Sequence, residues 1–136
     1  MKIIMLTGDS DRGKTASLHF VLEILVAYGA EIIFFKHVGF DYQRDFSSKL
    51  KYREKTIRIF TMGDSEKPIR KALSYKKYDF LICACNNEHE KLFEQATHRV
   101  EKSVAEVNAC MLAANWYDAS RIIELLDKNI KQRRKA

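Results

Sequence analysis

The stretch Gly8-Asp9-Ser10-Asp11-Arg12-Gly13-Lys14-Thr15 fills every fixed position of a G-x-x-x-x-G-K-[ST] loop. At average residue usage those four fixed positions coincide by chance in about one chain in two hundred of this length, so the match is informative by itself. Its flanks make it more so. Lys2-Ile3-Ile4-Met5-Leu6-Thr7 is a short apolar run suited to a buried parallel strand. Behind the loop, residues 16–28 carry Leu18, Val21, Leu22 and Leu25 at helical spacing, and Gly29 supplies a stop that tolerates a left-handed backbone. Strand, loop and helix in this order is the setting that gives the motif a physical meaning.

That meaning is anion binding. Gly8 and Gly13 allow backbone angles that a side chain forbids and leave room for a polyphosphate. Successive N–H groups then converge as a nest, and the following helix adds the positive end of its dipole. Lys14 places an ammonium against the β- and γ-phosphates, and the Thr15 hydroxyl completes the coordination of a magnesium ion bridging them. The expected cofactor contacts are therefore Gly8, Asp9, Ser10, Asp11, Arg12, Gly13, Lys14, Thr15 and Ala16. Asp9 and Asp11 are expected to point away from the phosphates, the alternative being that one binds the metal or acts as a base. Arg12 is expected to be a solvated neighbour.

Loop and flanks together resemble the P-loop NTPase superfamily. The resemblance implies a three-layer α/β sandwich holding ATP or GTP with Mg2+. Tyr78-Asp79-Phe80-Leu81-Ile82-Cys83-Ala84 is similar to a strand of the ParA-like and dethiobiotin-synthase-like branches, whose members carry an acid where this chain has Ala84. Asp64, directly after Ile57-to-Met62, is the expected substitute as second metal contact or orienter of the attacking group; capping the next helix is its other role. Lys14 and Asp64 are thus the catalytic candidates, and Thr15 and Asp64 the metal candidates. Lys36-His37, ending a second apolar run, resembles the small P-loop adaptors of molybdenum-cofactor guanylation, a likeness confined to the first third of the chain. The N/T-K-x-D signature for guanine is absent, which favours adenine, and Ala16 removes a hydroxyl often available to the α-phosphate.

Further along, residues 30–37, 56–62 and 78–85 read as buried strands. Each ends on polar residues, Lys36-His37, Gly63-Asp64 and Asn86-Asn87, which a parallel sheet would gather with the loop at one edge. The charged segment 38–55 lacks a period and reads as a flap or a hidden short helix. Pro68 falls near the first turn of a helix whose Ile69, Ala72 and Leu73 face inward. The tail divides into a helix near 88–97, a fifth strand near 99–104 and a final helix from about 118 to 132 bearing Ile122, Ile123, Leu125, Leu126 and Ile130 inward. Strands alternating with helices predict an α/β three-layer sandwich with a mainly parallel sheet of about five strands, in one domain over residues 1–136.

Composition agrees with a folded domain: 46% of the 136 residues are hydrophobic. No run approaches the roughly 20 apolar residues that span a bilayer, and the opening residues do not form a cleavable leader, so a cytoplasmic protein without membrane contact is expected. Cys83, Cys85 and Cys110 lack paired metal-site spacing and read as buried filler. The net charge of +6 suits a polyphosphate. Nucleic acid is an unlikely partner, because Lys128, Lys131, Arg133, Arg134 and Lys135 read as a solvated helix end, and Trp116 and Tyr117 as packing. The resulting expectation is an ATP (or GTP)-binding protein with weak magnesium-dependent triphosphatase activity. Two alternatives stand beside it: a kinase holding a small-molecule acceptor on residues 38–55, and a non-catalytic nucleotide-gated adaptor for another protein or for a homodimer.

Overall fold

In the computed structural model, residues 1–8, 13–37, 45–62, 66–74, 77–87, 98–103 and 108–134 are described. They form six strands and three helices: β1 (Lys2–Gly8), α1 (Lys14–Ala27), β2 (Glu31–His37), β3 (Phe46–Tyr52), β4 (Lys55–Phe60), α2 (Glu66–Leu73), β5 (Phe80–Asn86), β6 (His98–Glu101) and α3 (Asn108–Arg134). The strands make one sheet in the order β2-β3-β4-β5-β1-β6.

β1 and β5 are interior strands, and their unbroken apolar runs follow from being covered on both faces. They pair in parallel from Lys2↔Phe80 to Gly8↔Asn86. One face is sealed by α1 and α3, whose Leu18, Val21, Leu22, Leu25, Ala119, Ile122, Leu126 and Ile130 close over Ile4, Leu6, Ile59 and Ile82. On the other face Ile69 and Ala72 of α2 cover Ile3, Met5, Leu81 and Cys83. α1 stops as its glycine requires: Gly29 has φ 99°, and the N–H groups of Ala30 and Gly29 bond back to the carbonyls of Leu25 and Val26.

Several expectations are corrected here. The sheet has six strands and is mixed, not mainly parallel: β4–β5, β5–β1 and β1–β6 are parallel, whereas β3 is antiparallel to both β2 and β4. The added strand comes from the segment read as flap or short helix. Phe46, Leu50 and Tyr52 alternate into the core, and the chain reverses through Arg53 (φ 51°) and Glu54 (φ 67°) straight into β4. Two consecutive positive φ values make this a type I′ hairpin turn built without glycine. β2 is not a buried strand but the outer edge, with most of its residues exposed. The fifth predicted strand exists as β6, and the last helix begins ten residues earlier than expected. The predicted helix near 88–97 lies outside the described residues. Among the described residues no helix is long and apolar enough to cross a membrane.

Candidate functional site

β2 runs antiparallel to β3, which runs antiparallel to β4, so β2 points the same way as β1, β4, β5 and β6. The carboxyl ends of those five strands therefore share one edge of the sheet. β3 runs the other way and enters from that edge. Asp45, one residue before β3, is placed there by its amino end rather than its carboxyl end.

Gly8 ends β1, and Gly13 (φ 86°) caps α1, which begins at Lys14. At Gly13 both backbone angle and space favour glycine, and at Gly8 space alone does. A Cβ at Gly13 would stand 2.7 Å from Asn115 Oδ1, and one at Gly8 would stand 3.0 Å from Lys102 Cβ. Lys14 is buried, and its Nζ donates to the Gly8 carbonyl at 3.1 Å, folding the ammonium back over the end of β1. The Ser17 hydroxyl lies 3.0 Å from the Gly13 carbonyl and 3.2 Å from Asn115 Oδ1, tying the start of α1 to α3.

Thr15 donates its hydroxyl to Asp45 Oδ1 at 3.1 Å. Thr61, just after β4, donates to the same oxygen at 2.9 Å and accepts the Phe46 N–H at 2.9 Å. One carboxylate oxygen thus joins the first turn of α1 to the ends of β3 and β4. The donor set around it is hard oxygen, which suits a small divalent cation shared with an oxyanion. Among the described residues no group of three or more His, Cys, Asp or Glu could hold a metal by itself. A cation here would have to take further oxygens from water or a ligand.

On the far side of Gly8 stands a second carboxylate, Asp118 of α3. It is buried and receives Lys102 Nζ at 2.7 Å, Ser103 N–H at 2.8 Å, Ser103 Oγ at 2.7 Å and Arg121 at 2.7 Å. Burial alone would raise its pKa. The hydrogen bonds from Lys102, Ser103 and Arg121 outweigh that, and the carboxyl is held below its ordinary value. The Lys102 N–H bonds to the Thr7 carbonyl, so this network braces the end of β1.

The remaining candidates divide clearly. Ala16 is exposed on α1. Asp9, Ser10, Asp11, Arg12 and Asp64 lie outside the described residues. Ala84 is 2% exposed and pairs with Leu6 inside the larger core, so an acid there would be buried among apolar side chains; the residue level with Gly8 is Asn86. Lys36 and His37 reach the expected edge, but on β2, four strand spacings or roughly 19 Å from β1. His37 pairs with Phe46, the residue after Asp45, so this pair stands beside the Asp45 side of the site and not at the end of β1. Cys83 and Cys85 are buried, and desolvation pushes the Cys83 thiol pKa upward, as expected of inert filler. Trp116 stacks on Phe20 at 4.4 Å yet is 40% exposed, and Tyr117 is 59% exposed, so the packing role assigned to this pair is only partly met.

Asp45, Thr61, Lys102 and Asn115 were not singled out from the sequence. Asp45 had a usable signal, since the alternation of Phe46, Ser48, Leu50 and Tyr52 marks the strand that positions it. Asn115 and Lys102 had none, because each meets the loop only through tertiary packing. No protein-family model, curated protein or solved structure matches the chain.

Proposed function

We propose that the chain has a P-loop fold and binds a nucleoside triphosphate, ATP in preference to GTP, together with magnesium at the loop between β1 and α1. The observation that carries this reading is the meeting of the motif threonine with a carboxylate from another part of the sheet, Thr15 to Asp45. Lys14, now on the Gly8 carbonyl, is the cation for the β- and γ-phosphates. Thr15 and Asp45 are the residues that would hold magnesium, with Thr61 orienting the carboxylate. When bound, the ion neutralises phosphate charge. Asp64 remains part of the proposal as a second acid on the segment after β4. Turnover is slow in this reading, because Ala84 sits in the core and offers no carboxylate at the site.

The acceptor role for residues 38–55 narrows, since most of residues 46–52 are buried strand and only 38–44 stay outside the described part. One observation favours the adaptor alternative. α3 touches the loop through Asn115 and on the same stretch exposes Leu112, Trp116 and Tyr117, a route from ligand to surface.

A thermal-shift panel of adenosine and guanosine di- and triphosphates, with and without magnesium, tests the central claim. The expected result is stabilisation by ATP that increases with magnesium and disappears in Lys14→Ala. No shift with any nucleotide at millimolar concentration, or an undiminished shift in that variant, overturns it.

A further inference from the structure

β2 is the outermost strand, and among the described residues its one strand neighbour is β3. Its middle is four consecutive apolar residues, Ile32-Ile33-Phe34-Phe35. Ile32 is 44% exposed, Ile33 49% and Phe35 39%. The strand contains neither proline nor glycine. Natural sheets blunt such an edge, because its outward N–H and C=O groups are a template for another strand. Here the interruption is a register shift between Ile32 and Phe34, and the charges are confined to the strand's ends.

The order of those charges favours one occupant. Glu31 stands at the amino end, and Lys36 and His37 at the carboxyl end. Parallel addition of an identical strand would set like charge beside like. Antiparallel addition brings each Glu31 to the other copy's Lys36-His37 end and lays apolar middle on apolar middle. The strand is therefore complementary to itself in the one orientation that a closed two-fold dimer requires.

We propose that two copies of the chain associate through β2, pairing edge to edge and antiparallel into one continuous sheet. The association uses the outward edge of β2; β1 lies four strands inward, and Asp45 of the loop site sits at the start of the adjacent β3. The pairing rests on the edge strand and not on the reading of the loop.

Light scattering or sedimentation of the full chain across a dilution series, without nucleotide, tests this. A reversible dimer is expected. Glu31→Lys and Lys36→Glu should each raise its dissociation constant about tenfold, since each change acts twice across a two-fold axis. The double reversal E31K/K36E should return it to the original value. Both positions are exposed, and thermal unfolding of each variant checks that the fold is intact. Lys14→Ala should leave the dimer unchanged. A monomer at every concentration overturns the proposal. So does a dimer indifferent to both single reversals, which would point to another face such as Leu112, Trp116 and Tyr117, or a double reversal as weak as the singles. Open-ended polymers in place of a dimer would also refute the closed pairing.

Discussion

Two carboxylates flank the loop, and they are built for different work. Asp118 is buried, with both oxygens taken by Lys102, Ser103 and Arg121. Asp45 is half-buried, and two hydroxyls, from Thr15 and Thr61, donate to a single oxygen. Ammonium, guanidinium and amide donors satisfy a charge; hydroxyls hold it in place and can turn to a new partner. A carboxylate saturated by cations braces a fold, and one held by hydroxyls at a strand end is available to a ligand. The α3 side of the site is read as frame and the β3 side as the part that responds.

The contrast is most exposed to failure at Asp118. Removing it strands Lys102 in a dry place, so Asp118→Ala should cost about 3–5 kcal/mol of stability in denaturant titration. The sign of its pH dependence follows from a folded pKa below the ordinary 3.8. Its contribution is complete above the unfolded value and fades as pH falls through the folded one, so Asp118→Asn should flatten the acid limb of the stability profile. A joint change to apolar residues, K102M/D118L, should recover much of the loss, because both buried charges leave together. A variant at position 118 that kept full stability and lost only ligand binding would reverse the two assignments.

Gly13 comes next in size. Gly13→Ala must accept φ 86° and place a methyl 2.7 Å from Asn115 Oδ1. The expected cost is about 1–3 kcal/mol, and under the proposed function nucleotide binding weakens with it. Adding Asn115→Gly removes the clash and leaves the strained angle, so part of the loss should return. Full recovery would mean that space, not backbone conformation, selects glycine there.

Legibility divided along the same line. α1, β1 and β5 could be read because each is a local pattern: a helical stripe or an unbroken apolar run. β3 also carries a local pattern, with Phe46, Ser48, Leu50 and Tyr52 two apart, but its hairpin turn is Arg53-Glu54. Without the Asn-Gly or Asp-Gly that marks such turns, the alternation sat unrecognised inside a charged segment. Asp45 was lost with it. β2 misled in the opposite way, since four apolar residues in a row normally mean cover on both faces. Its exposure depends on which strand lies outside it, a property of the whole sheet that no window of sequence contains. Asn115 and Lys102 meet the glycines across the packing of α3 and β6, which spacing along the chain cannot express.

Asp45→Asn keeps the shape and both hydroxyl contacts, so its stability change should stay under about 1 kcal/mol. Under the proposed function the magnesium-dependent part of ATP stabilisation should vanish, a loss of about tenfold in apparent affinity or 1.4 kcal/mol at saturation. Thermal shifts with and without magnesium separate the two effects. An unchanged magnesium increment would remove Asp45 from the metal's surroundings and return that role to Asp64.

The smallest effect asks whether the β3 side can be stiffened without touching the ligand. Glu54 holds φ 67° at an exposed turn, a conformation that costs a residue with a side chain more than it costs glycine. Glycine adds freedom to the unfolded chain, which subtracts from the gain, so Glu54→Gly should stabilise by only about 0.5–1 kcal/mol. The turn lies at the opposite end of β3 from Asp45, and Tyr52 beside it is anchored to Asp127 at 3.0 Å, so the relief should stay local. Nucleotide binding should therefore be unchanged while the denaturation midpoint rises. If binding weakened in step with the added stability, strain in this hairpin would be helping to hold Asp45 against Thr15, and the β3 side would belong to the frame as much as Asp118 does.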